Sequence, residues 1–187
     1  MSGATGQIYG IRLLQYLKAF PDTTTHLVIS DWARKTIVLE TDQTVASVEA
    51  LADHVHDISN LAASISSGSF QRDGMVVVPC SIKTLSGIAN SYNDNLLVRA
   101  ADVTMKERKP LILMLRETPL HLGHIRLMQQ ATEAGALISP PVPAFYTKPQ
   151  TIDDIVNQTV MRLIDLLGLP SQNLSRWVGV EPASLNN

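Results

Sequence analysis

"GMVVVPCSIKTLSGIAN" (74–90) decides the fold. Val76, Val77 and Val78 make an apolar run that ends at Pro79, with no polar residue alternating inside it. A strand of that kind is covered on both faces, as in a parallel sheet. Ser81 then offers a good helix N-cap, and "SIKTLSGIAN" (81–90) has helical spacing. A buried strand that turns directly into a helix is the repeating unit of an α/β sheet. The pattern recurs outward. "THLVIS" (25–30), "PLILML" (110–115) and "GALISP" (135–140) read as strands. "GIRLLQYLKAF" (10–20), "DWARKTIVLE" (31–40), "LLVRAADVTMKE" (96–107), "LHLGHIRLMQQATEAG" (120–135) and "IDDIVNQTVMRLIDLLG" (152–168) read as helices. The alternation predicts an α/β chain: three layers, α/β/α, around a doubly wound parallel sheet with right-handed crossovers. Leu51 to Arg72 is the longest stretch without a strand signal.

A chain of 187 residues can bury one sizeable core. We expect one domain, 1–178, and a loose tail, 179–187. The 15 basic and 17 acidic residues leave a net charge of -2, which argues against a general nucleic-acid or membrane-surface binder. Cys80 is the only cysteine, so no intrachain disulfide forms and a reducing compartment fits. The start of the chain lacks a basic segment followed by an apolar one, and "LILML" is far too short to span a bilayer. These features predict a cytoplasmic, soluble protein.

Open α/β sheets bind ligands beyond the carboxyl ends of their strands. That rule selects "SGATG" (2–6), Ser30, "PCSIKT" (79–84), Arg116–Glu117 and "PPVPAFY" (140–146). "SGATG" has the glycines for a close backbone approach, and Thr5 with the N–H groups opening the next helix can hold a phosphate. Its spacing matches neither a dinucleotide fingerprint nor a P-loop, and it reads equally as a plain helix start. Lys83 lies in the first turn of a helix, against the dipole preference, and a bound anion is one reason for it. Cys80 reads as a small core residue. Arg99 and Lys106 are two turns apart and share a helix face. His54 and His56 read as surface residues. His121 and His124 lack a third ligand at a convincing spacing, so no metal site is expected.

Taken together, "SGATGQIYGIRLLQYL", "THLVISDWARKTIVLET", "ISSGSF", "VVVPCSIKTLSGIANSY", "LLVRAADVTMKERKPLILMLRETPLHLGHIRLM", "GALISPPVPAFY" and "DDIVNQTVMRLIDLLG" resemble the UbiX-type flavin prenyltransferases (the UbiX/Pad family) in order and spacing, from Ser2 to Trp177. An older name for that family is 3-octaprenyl-4-hydroxybenzoate carboxy-lyase. The resemblance implies a Rossmann-like flavoprotein that moves a dimethylallyl group from dimethylallyl monophosphate to N5 and then C6 of reduced FMN. The prenylated FMN serves UbiD-type decarboxylases, in ubiquinone biosynthesis or aromatic-acid decarboxylation. Matched residue by residue, it implies FMN contacts at Gly3, Ala4, Thr5, Ser30, Ser81, Ile82, Lys83, Thr84 and Arg116. It implies prenyl-phosphate contacts at Tyr146, Arg162, Arg99 and Lys106. Glu40, Glu117, Lys106 and Thr5 are the implied catalytic positions, and no metal is implied. It further implies a homo-oligomer, commonly a dodecamer, with the site completed where subunits meet. It also implies a short apolar strand ahead of "SGATG", which this sequence starts too late to contain; the loop would then be anchored only by the helix that follows it.

The chemistry suits those roles. Breaking an allylic C–O bond places negative charge on the departing phosphate, which Arg and Lys can clamp without a metal. Aromatic walls, Trp177 among them, can shield allyl-cation character. Two other functions remain open: a flavin-dependent decarboxylase acting directly on an aromatic acid, and a non-enzymatic flavin carrier. Related cysteine decarboxylases use an early catalytic His, whereas this chain has Glu40 and no His between His26 and His54. The Arg/Lys/Tyr set for a second phosphate weighs against a carrier.

Overall fold

The computed structural model describes residues 1–170, 176 and 179. Trp177, and all of the expected tail 179–187 except Gly179, lie outside the described residues. The elements run α1 (Gln7–Leu17), β1 (His26–Val28), α2 (Asp31–Glu40), α3 (Val45–Glu49), β2 (His54–His56), β3 (Met75–Cys80), α4 (Ile82–Ala89), α5 (Leu96–Lys106), β4 (Leu111–Leu115), α6 (Leu122–Glu133), β5 (Leu137–Ile138) and α7 (Ile152–Leu166). Single 3₁₀ turns lie at Ser64–Ser66 and Phe145–Thr147. All strand pairs are parallel: β1 with β2, and β4 between β3 and β5.

β4 shows why its sequence is apolar throughout. All five of its residues are buried. Leu111, Leu113 and Leu115 pack with Leu85, Ile88, Leu97 and Ala101 of α4 and α5. Ile112 and Met114, pointing the other way, pack with Leu13 of α1 and Val160, Leu163 and Ile164 of α7. Leu27 and Ile29 meet Ile11 and Leu14 of α1 and Ala33 and Ile37 of α2. The sheet is therefore the middle of three layers, with α1, α2 and α7 on one face and α4 and α5 on the other. This is the doubly wound α/β arrangement that the alternation predicts.

The two parallel groups are joined by the first two residues. The Met1 amine donates to Val28 O at 2.7 Å, and Ser30 N–H donates to Met1 O at 3.0 Å. On the other side Ser2 N–H donates to Pro79 O at 3.1 Å. The spatial order is thus β2, β1, Met1–Ser2, β3, β4, β5. The chain leaves Met1–Ser2 toward β1 and β2, then returns to build the opposite side from β3. That reversal is the topological switch point of a doubly wound sheet, where a crevice opens. Burial drives the Met1 amine down to a pKa of about 5, and it pushes the Cys80 thiol up to about 12. Cys80 is fully buried and inert, as a small core residue should be.

The stretch 51–72 does contain a strand. β2 is three residues of sequence His-Val-His at the sheet edge, mostly exposed, so it has no apolar run to announce it. His54 is exposed, as expected, and His56 is half-buried. The His26 ring stacks on both, with centroids 4.6 and 5.2 Å apart, and Phe70 meets it edge-on. His26 Nδ1 lies 2.9 Å from His56 Nε2. Burial and the neighbouring imidazoles hold the pKa of His26 and His56 below the ordinary histidine value.

Candidate active site

Three turns meet at the switch point, and Ser2 holds two of them. Its side chain is fully buried; Oγ donates to Pro79 O at 3.0 Å and accepts from Ser81 N–H at 2.8 Å. The turn between Ser2 and α1 folds back through Ala4 N–H to Ser2 O. Buried Gln7 ties it down, with Nε2 donating to Ser2 O at 2.9 Å and to Ala4 O at 2.8 Å. The carboxylate of Glu40, from the end of α2, accepts from Gly6 N–H at 2.8 Å and Gln7 N–H at 3.3 Å. A negative group at the start of α1 satisfies free N–H donors and suits the helix dipole. The expectation that the helix alone anchors this loop is therefore corrected: Met1, Ser2, Gln7 and Glu40 all fix it.

The other two turns are helix starts. Ser30 caps α2, with its Oγ accepting from Ala33 N–H at 3.2 Å. Ser81 caps α4, with its Oγ accepting from Thr84 N–H at 3.3 Å and lying 3.1 Å from Thr84 Oγ1. Gly3 lets the first turn press on α2, because a Cβ there would come within 2.4 Å of Trp32 Cβ. Trp32 stays largely exposed beside the turn, with Lys35 Nζ 4.3 Å from its ring centre.

The structure thus brings together Gly3, Ala4, Thr5, Ser30, Ser81, Ile82, Lys83, Thr84 and Glu40. The N–H groups of Gly3, Thr5, Asp31, Trp32, Ile82 and Lys83 have no hydrogen-bond partner among the described residues. Donors of this kind, at three turns beyond the carboxyl ends of parallel strands, suit the phosphate and ring carbonyls of a flavin. Lys83 pairs with Asp94 at 3.2 Å and is mostly exposed. Asp94 thus supplies one anion to this first-turn cation. Arg116 follows β4, its N–H donating to Cys80 O at 2.9 Å. Glu117 turns back on its own loop to accept from Thr118 N–H.

The remaining basic residues form two groups. On α5, Arg99 Nε donates to Ser66 O at 3.2 Å and its guanidinium faces Asp102. Lys106 pairs with Glu107 at 2.6 Å. The pair rests on Gly68 so closely that a Cβ there would come within 2.7 Å of Lys106 Nζ. On α7, Arg162 pairs with Asp165, and one turn earlier Gln158 Nε2 donates to the Tyr146 hydroxyl at 3.4 Å. α5 and α7 cover opposite faces of the sheet.

Sequence reasoning missed Ser2, Gln7 and Trp32. Serine before a glycine gave no hint of burial. Gln7 at a helix start could have been singled out as a loop tie, since its amide carries both donors and acceptors.

The family model that matches describes flavoproteins and covers residues 1–164. The flavin prenyltransferase UbiX of Escherichia coli K12 is 61% identical over 181 residues, 96% of each chain. A crystal structure of AnUbiX (PadA1) in complex with FMN and dimethylallyl pyrophosphate superposes with a TM-score of 0.94 at 51% identity, covering 97% of this chain and 96% of that one. A dodecameric FMN-dependent UbiX-like decarboxylase from Escherichia coli O157:H7 superposes at 0.92 with 48% identity, covering 96% of this chain and 100% of the other.

Proposed function

The chain belongs to the flavoprotein family and, within it, to the UbiX-type flavin prenyltransferases, and from that membership we propose how its residues carry the reaction. The enzyme binds FMN and transfers a prenyl group to it. The observation that carries the reading is the convergence of three turns, with their unbonded N–H donors, on the crevice at the switch point. Gly3, Ala4, Thr5, Ser30, Ser81, Ile82, Lys83, Thr84 and Arg116 hold the flavin there.

The donor is dimethylallyl monophosphate, and the product carries the group on N5 and C6. Reduced FMN supplies the electron pairs that form both bonds. The protein orients the two reactants and stabilises the charge that leaves with phosphate. Arg99, Lys106, Arg162 and the Tyr146 hydroxyl meet that phosphate. Glu40 fixes the Gly6 and Gln7 end of the flavin turn, and Thr5 presents a hydroxyl from it. Glu117, beside Arg116 at the end of β4, is the acid–base candidate for the proton lost in ring closure. Because α5 and α7 lie on opposite faces of the sheet, the phosphate site forms from α5 of one copy and α7 of another. The assembly is a homododecamer, and the product passes to a UbiD-type decarboxylase in the cytoplasm. Among the described residues no helix is long and apolar enough to cross a membrane.

Anaerobic incubation with reduced FMN and dimethylallyl monophosphate, followed by mass spectrometry of the released flavin, tests the reading. A flavin heavier by one dimethylallyl unit supports it. Unmodified flavin together with carbon dioxide release from an aromatic acid would establish the direct decarboxylase instead. Unmodified flavin with neither reaction would leave a carrier. Running dimethylallyl pyrophosphate in parallel identifies the donor.

A further inference from the structure

Asn93, Asp94 and Asn95 lie in the turn between α4 and α5, and their side chains reach three different places. Asp94 pairs with Lys83 in the first turn of α4. Asn95 caps α5, its Oδ1 accepting from Val98 N–H at 3.1 Å. Backbone bonds fix the same turn: Tyr92 N–H donates to Gly87 O at 2.8 Å, and Leu96 N–H donates to Ile58 O at 2.8 Å. Asn93 is thereby held with its amide against α5, where Nδ2 donates to Asp102 Oδ2 at 2.9 Å. The same carboxylate oxygen accepts from Arg99 Nη1 at 3.4 Å. Arg99 Nε donates to Ser66 O at 3.2 Å. Nη2, the third nitrogen of the guanidinium, has no hydrogen-bond partner among the described residues.

We propose that Asp102, held by Asn93, is the positioning residue that aims the Arg99 guanidinium at the departing phosphate; this rests on the place given to Arg99 in the prenyl-phosphate site. An Arg and an Asp three apart on a helix commonly make a solvated pair of little consequence. Two observations set this pair apart. Asp102 and Asn93 are both half-buried, and Asn93 Oδ1 is buried without a partner. An amide that orients a carboxylate while its own carbonyl goes unsatisfied is a costly arrangement, and a surface pair does not require it. Arg99 is also gripped at two of its three nitrogens, by Ser66 and Asp102, so its planar fork is fixed and Nη2 is the donor left over. A guanidinium fixed before the substrate arrives needs no reordering as charge develops on the phosphate, and that gain falls on the chemical step. Asp102 acts through Arg99, not on the substrate. Its charge offsets that of Arg99, so removing it does not weaken the attraction for the bound prenyl phosphate. Its loss should therefore appear in the rate at saturation and not in the half-saturating concentration.

The test is a double-mutant cycle on the full chain, with single-turnover prenyl transfer measured at saturating reduced FMN and varied dimethylallyl monophosphate. Asp102→Ala should lower the rate at saturation by roughly 10- to 100-fold, the cost of a misplaced group, with the half-saturating concentration within about threefold of the parent. Arg99→Gln should also be slow, and adding Asp102→Ala to it should slow transfer by less than about twofold further, because Asp102 then has nothing to aim. Asn93→Ala removes the amide and leaves the helix pair; it should lower the same rate with the same silence in the Arg99→Gln background, and it carries the cycle if Asp102→Ala does not fold. Effects that multiply in the double variant would make Asp102 a structural residue and overturn the proposal. A raised half-saturating concentration at an unchanged rate overturns it too. Normal transfer by Asp102→Ala beside slow transfer by Arg99→Gln overturns the positioning role alone. Normal transfer by Arg99→Gln overturns it together with the place of Arg99 at the phosphate.

Discussion

Replacing Ser2 by alanine should damage both stability and flavin affinity, although Ser2 itself is out of contact with solvent. Its Oγ accepts from Ser81 N–H at 2.8 Å and donates to Pro79 O at 3.0 Å. Pro79 O keeps the Ser2 N–H at 3.1 Å, so its loss is partial. Ser81 N–H has no other partner among the described residues. Leaving that donor unsatisfied costs about 1–3 kcal/mol, and the weakened carbonyl adds roughly 0.5–1.5 kcal/mol. Ser2→Ala should therefore lose about 2–4 kcal/mol, a fall of roughly 5–15 °C in melting temperature for a chain of this size. Ser81 also caps α4 and is a proposed flavin contact, so FMN affinity should drop by about tenfold, the equivalent of roughly 1.4 kcal/mol. Urea unfolding and FMN titration of the two proteins measure both effects. A variant within about 0.5 kcal/mol of the parent, a typical surface substitution, with unaltered FMN binding would refute the role given to Ser2.

Three further outcomes are expected. Lys106→Gln or Arg162→Gln should slow prenyl transfer by roughly 30- to 1000-fold while FMN affinity stays within about threefold, because a lost leaving-group contact costs on the order of 2–4 kcal/mol; single-turnover rates at saturating flavin decide it. Gly68→Val should displace the Lys106–Glu107 pair that lies against Gly68 and slow transfer without a matching loss of stability, checked by comparing rate with melting temperature. The Met1 amine, lowered to about 5 by burial against 8.0 when exposed, binds its proton more readily in the unfolded chain. Stability should consequently rise between pH 5 and pH 8, by an amount on the order of 4 kcal/mol from this group. Urea unfolding across that range, on the free and the N-terminally acetylated chain, should show the slope in the free chain and lose this component in the acetylated one.

The central strands were legible because each is apolar on both faces, and a buried parallel strand has no other way to be written. Residues 111–115 and 75–80 illustrate this. β2 was illegible for the opposite reason: an edge strand of His-Val-His makes few demands on side-chain polarity. In the site, Ser30 and Ser81 could be read because N-capping is a local preference of short polar side chains. Ser2, Gln7 and Glu40 act through bonds spanning 77, 5 and 34 residues, and only the last two involve side chains whose polarity invites a partner. Lys83 shows the limit of local reasoning. Its position against the helix dipole suggested a bound anion, and the structure adds Asp94, an anion eleven residues away that local reasoning did not name.

The placement of Arg99 and Lys106 on one face of the sheet and Tyr146 and Arg162 on the other has a consequence for inheritance. If the phosphate site is shared between copies as proposed, a chain lacking Lys106 and a chain lacking Arg162 are each impaired in every site of a pure assembly. In a cell that makes both, some interfaces pair the intact α5 of one with the intact α7 of the other. Random mixing leaves roughly a quarter of the sites whole, because each symmetric interface draws its two halves independently. Two null alleles of this kind should complement each other, whereas two alleles altered on the same helix should not.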